Sequence, residues 1–103
     1  MSRQVFRPKI VGETVSLVFD FASRLSVGET ITGQGSTAYL YSGVDATPTA
    51  ILSGSPSTSG TKVTQKVTGG VVGAIYDVLV TVTTSAGQTL SIGGYVAVNP
   101  EPI

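Results

Sequence analysis

An all-β sandwich is what this sequence predicts, and three features predict it. Several segments alternate apolar and polar residues with a period of two, they are rich in β-branched residues, and Gly, Ser and Pro turns separate them at intervals of about ten residues. Residues 73–87 are the clearest case. There Tyr76, Val78, Val80 and Val82 fall on one face of an extended segment that closes on Ser85-Ala86-Gly87. No window of the chain carries the 3.6-residue period of a helix.

Each element follows in order. Residues 13–21 form the first sandwich strand, with Val15, Leu17, Phe19 and Phe21 on the core face, Ser16 and Asp20 opposite, and Val18 interrupting the polar face. Residues 22–28 connect onward, with Leu25 plugging one end of the core, and Gly28-Glu29 turns the chain into residues 30–32. Residues 33–35 carry two glycines and read as a bulge or bend before a strand at 37–41. Thr47-Pro48 marks a turn, residues 50–52 a short edge strand, and the small polar run 53–60 a mobile connecting loop. Residues 62–68 alternate cleanly, with Val63, Gln65 and Val67 sharing a face, and Gly69-Gly70 ends the segment. Residues 88–99 supply the last strand, with Leu90, Ile92, Val96 and Val98 on one parity and a bend or bulge expected at Gly93-Gly94.

About seven antiparallel strands in a chain of this length is the spacing of an immunoglobulin-like sandwich. Tyr76 stands where such folds keep a corner tyrosine whose hydroxyl bonds nearby backbone; an ordinary half-buried strand aromatic is the other reading. Both are structural.

The chain has 103 residues, enough for one domain and one core, so residues 1–103 are expected to form a single unit. Charged residues make up only 12%, hydrophobic residues 41%, and mean hydropathy is +0.33, so solubility rests on Ser, Thr and Gly. With a formal net charge of zero the chain lacks the field that gathers phosphate backbones or anionic lipid, which argues against nucleic-acid and membrane partners. Low net charge also removes the repulsion that keeps monomers apart, favouring a component of an assembly. No apolar run resembles a signal-peptide core or a membrane span, and the chain reads as made and folded in a cytoplasm.

There is no histidine and no cysteine, which excludes Ser-His-Asp and Cys-His nucleophiles, a histidine base and thiolate metal sites. The carboxylates Glu13, Asp20, Glu29, Asp45, Asp77 and Glu101 are scattered, with no spacing that pairs two of them on one element and no dense oxygen loop for calcium around Asp45 or Asp77. The glycine pairs lack the phosphate-binding spacing before a helix and read as turns or bulges. Neither an enzyme nor a cofactor is expected.

Arg3, Arg7 and Lys9 place half of the six cations in the first decade, interleaved with Val5, Phe6 and Ile10. That composition suits a docking arm at about residues 1–10, whose candidate contact residues are Arg3, Val5, Phe6 and Arg7; a soluble terminus beside an edge strand is the other reading. The sandwich strands begin after it, so the fold is expected to survive removal of residues 1–9. A Pro-rich tail at about residues 99–103 is expected to lie outside the sheets.

Residues 13–21, Arg24-Leu25, residues 28–31, Tyr41-Ser42-Gly43 and the passage from Val63-Thr64-Gln65-Lys66 through Gly69-Gly70 to Tyr76 together resemble small virion proteins of tailed phages, the fiber-tail adaptor family. The resemblance spans about residues 11–98 and carries no catalytic motif. It implies an immunoglobulin-like fold, several copies per particle, no enzymatic activity, and partners among other virion structural proteins of tail, neck or fiber. A capsid decoration protein uses the same fold on another surface. A carbohydrate-binding or adhesin module is the alternative of a different class, although the chain has no tryptophan and its tyrosines form no consecutive exposed platform.

Overall fold

The computed structural model describes residues 3–100. Among them, strands run at β1 (Arg3–Val5), β2 (Lys9–Ile10), β3 (Thr14–Asp20), β4 (Ile31–Ser42), β5 (Leu52–Ser59), β6 (Lys62–Thr68), β7 (Ile75–Thr84) and β8 (Thr89–Asn99), with short 3-10 turns at Ala22–Arg24 and Pro48–Ile51. One sheet is ordered β3-β6-β5 and is antiparallel throughout. The other is ordered β1-β8-β7-β4, with β2 also on β8; its β4, β7 and β8 are antiparallel, whereas β1 and β2 run parallel to β8.

The core lies between the sheets and is built by the alternation. Leu17, Phe19 and Phe21 from β3 and its end, with Val63 and Val67 from β6, face Val78, Val80, Val82, Ile92, Val96 and Val98. Each such side chain contributes about 1.5–3 kcal/mol on burial. Val18 is exposed on the outer side of β3, and Leu25 is half-buried against the core, both as the pattern predicts.

Residues 50–60 differ from expectation. A 3-10 turn buries Ile51 where a short edge strand was expected, and the supposed loop is strand β5. The cause is Gln65, fully buried on β6. Its Nε2 donates to the carbonyls of Lys66 (2.7 Å) and Gly54 (3.2 Å), and its Oε1 accepts the Ser36 hydroxyl. Side-chain bonds thus hold β5 where its register slips between Ser53 and Ser57. Pro56 is tolerated because β5 is an edge strand.

The irregularity read at residues 33–35 is present, whereas no bulge forms at Gly93-Gly94. β4 continues through Gly33 and Gly35, with a register slip between Ile31 and Gly33. β8 stays in register with β7 through Gly93 and Gly94, without a bulge there. Gly94 lies on the core-facing parity with Ile92 and Val96, and the space its missing side chain leaves is filled by the Phe6 ring; a Cβ at Gly94 would collide with that ring.

In place of a free arm, residues 3–10 are bound to the sandwich. β1 pairs Arg3 with Gly93 and Val5 with Tyr95, and β2 pairs Lys9 with Val98. The Phe6 amide donates to the Tyr95 carbonyl (2.9 Å), and its ring meets Phe19 edge-on at a centroid distance of 5.2 Å. Lys9, grouped by sequence with the docking cations, is buried. Its Nζ donates to the carbonyls of Gly69 (2.8 Å) and Ile10 (2.9 Å), tying β2 to the end of β6 in the opposite sheet. Desolvation lowers the pKa of that ammonium, against the raising influence of Glu13. Of the Pro-rich tail, Pro100 follows the last strand, and residues 101–103 lie outside the described residues.

Tyr76 is the corner tyrosine of the first reading. It is fully buried, its hydroxyl donates to Asp45 Oδ2 (2.6 Å) and accepts from the Val71 amide (2.8 Å), and so it ties the start of β7 to two loops. Burial, together with the Asp45 carboxylate, raises the phenol's pKa. We expect Tyr76→Phe to fold but to lose about 1–3 kcal/mol, because the Val71 amide is left without its acceptor. Urea denaturation compared with the wild type measures this directly.

Candidate docking surface

The outward face of the β1-β8-β7-β4 sheet is built from the solvent parity of its strands. Register aligns Val5, Tyr95, Asp77 and Tyr39 in one row across four strands, with Ala97 opposite Ile75 beside it. Tyr41 reaches over β7 to Tyr95, and their rings meet at a centroid distance of 4.6 Å with a 48° tilt. Val5, Pro8, Tyr41, Ile75, Tyr95 and Ala97 line a hollow of about 280 Å³. Val5 is 83% exposed and Tyr41 63% exposed, a high value for side chains of this size in mutual proximity.

The four residues singled out from sequence separate here. Arg3 contributes backbone to β1 opposite Gly93. Val5 projects onto the outer face, whereas the Phe6 ring packs against Phe19 and over Gly94 and also borders the hollow. Arg7 is exposed in the link between β1 and β2. Sequence reasoning missed Tyr41, Ile75 and Tyr95 as partners of Val5. The available signal was parity: Tyr41 and Tyr95 each sit one residue from core-facing positions, Leu40 and Val96.

Glu13, Asp20, Glu29 and Asp45 serve turns and loops, whereas Asp77 lies within β7. Glu13 Oε1 accepts from the Ile10 amide (2.8 Å), Asp20 Oδ1 from Ala22 (2.9 Å) and Glu29 Oε1 from Ser26 (2.9 Å). The Ala22 amide lowers the pKa of Asp20, the Ser26 amide that of Glu29, and the Tyr76 hydroxyl that of Asp45. Among the described residues no group of three or more acidic, His or Cys side chains converges, and no helix is long and apolar enough to cross a membrane. Glu101 lies outside the described residues.

A small two-sheet sandwich whose outward face gathers exposed apolar side chains has the makeup of a structural binding module. Over residues 9–92 the chain matches the family described as podophage GP4 fiber-tail adaptor protein gp77, and it belongs to that family. It is therefore a structural adaptor of the phage tail and a virion component, interacting with other tail and fiber proteins, as the resemblance implied. Capsid decoration and carbohydrate binding are not favoured by this membership. The match begins at Lys9 and leaves β1 outside it. No curated protein matches the chain.

Proposed function

We propose that the protein acts without catalysis, as a joint whose outer face at Val5, Tyr41 and Tyr95 seats a partner tail or fiber protein, with Arg3 and Arg7 at the margin of the contact. The clustering of exposed Val5 and Tyr41 with Tyr95 around one hollow carries this reading. Aromatic side chains with one apolar body and one polar tip are favoured at the centres of interfaces. Several copies act in each particle, synthesis is in the bacterial cytoplasm, and neither nucleic acid nor membrane is a partner, consistent with zero net charge. The sheet orders β3-β6-β5 and β4-β7-β8 support an immunoglobulin-like assignment of the sandwich, as does the Tyr76 corner.

The test is the double substitution Tyr41→Ser with Tyr95→Ser. Both side chains lie outside the core, so the melting temperature is expected to stay within a few degrees of wild type, while incorporation into purified particles falls about tenfold or more. A variant incorporated at the wild-type level would reject this face as the docking surface.

A further inference from the structure

The sandwich manages its sheet edges unevenly. β1 is three residues long and leads to Pro8. β5 carries Pro56 and a register slip, and the outer side of β4 is held along β5, with Thr58 Oγ1 donating to Gln34 Oε1 (2.9 Å) and Gln34 Nε2 to the Pro56 carbonyl (3.4 Å). Such features prevent unwanted strand pairing. β3 has none of them. It runs seven residues without Gly, Pro or Lys, its register with β6 is unbroken from Thr14↔Thr68 to Asp20↔Lys62, and among the described residues no strand pairs with its other side.

The direction of its main chain follows from one bond. The Phe21 amide donates to the Thr61 carbonyl on the β6 side (2.8 Å), so by the two-residue period Phe19, Leu17 and Val15 also turn their N–H and C=O groups toward β6. Ser16 and Val18 therefore turn theirs outward, and both residues are exposed. The chain before β3 leaves this edge open because it pairs with β8 instead. Alongside lies a groove of about 290 Å³, walled on one side by Val15 and Leu17 and on the other by Phe6, Arg7 and Pro8, with Glu13 at one end.

We infer that the outer edge of β3 accepts an extended segment of a partner tail or fiber protein as an added strand. This rests on the adaptor reading above and deepens it. Main-chain bonds to Ser16 and Val18 hold the segment, an apolar side chain enters the groove against Leu17 and Phe6, and an acidic residue of the segment meets exposed Arg7. The groove's two walls select a lone segment. A second copy would bring its own Phe6-Arg7-Pro8 wall to the same space.

Hydrogen exchange of the wild-type protein, free in solution and within purified particles, tests this. The Ser16 and Val18 amides are expected to exchange rapidly in the free protein and about tenfold or more slowly in the particle. Val18→Pro is the matching variant. It removes an N–H that takes no part in the β3–β6 ladder, so it should melt within a few degrees of wild type yet fail to incorporate. Equal exchange in the free and particle-bound states would overturn strand addition, whether or not Val18→Pro folds. So would protection in the free protein that rises with concentration alongside a doubled mass, which assigns the edge to a second copy. Absence of the wild type from particles would reject the adaptor reading itself, whereas its presence with unprotected amides rejects only the added strand.

Discussion

Val80→Asp is expected to leave no folded protein. Val80 is fully buried at the middle of β7, paired with Ser36 of β4 on one side and Ile92 of β8 on the other. A carboxylate there is enclosed in the core between the two sheets and must either stay charged without its hydration or take up a proton. The cost is several kcal/mol, against the roughly 5–15 kcal/mol that holds a domain of this size together. Thr81→Asp is the control. Thr81 is on the opposite face of the same strand, where its hydroxyl meets that of Ser91 at 2.9 Å, and the substitution should be mild. Soluble yield and a thermal melt of both variants decide the matter; a soluble, cooperatively melting Val80→Asp protein would show that this face of β7 is not the core.

Removing residues 1–9 is expected to lower both the melting temperature and incorporation into the particle. The deletion takes away β1, half of β2, the Phe6 ring that fills the space over Gly94 and touches Phe19, and the Lys9 ammonium that bonds to the Gly69 carbonyl. Loss of a half-buried phenylalanine alone costs about 2–4 kcal/mol. In a domain of this length that lowers the melting temperature by about 10–20 °C. Phe6→Ala should reproduce much of the shift by itself, which separates the loss of packing from the loss of strand pairing. An unchanged melt for the truncated chain would mean that the segment orders only against a partner, as its composition first suggests. Unchanged incorporation would remove residues 1–9 from the docking surface.

The sequence determined the parts of this protein that follow from local alternation. On β3, β6 and β7 the residues that point inward repeat every second position and burial follows that period, because a pleated strand has only two faces; β8 keeps the period except where Gly93 is buried between Ile92 and Gly94. The same parity placed Gln65 among core residues and Val18 outside them, and the strand and turn pattern was enough to reveal the adaptor family. What tertiary structure alone decided are the contacts between positions far apart in the chain. The small polar residues of β5 have no period of their own and become a strand because β6 and the buried amide of Gln65 supply their hydrogen-bond partners. Gly94 reads as a bend until the hole it leaves is matched with Phe6, some ninety residues earlier, and Lys9 reads as a surface cation until two carbonyls are found to surround it. Tyr41, Tyr95 and Val5 form one surface only after β4, β8 and β1 are laid across β7. Alternation along a strand specifies which way a side chain points; which side chain it meets depends on strand order and register, and those are set by the packing of the two sheets as a whole.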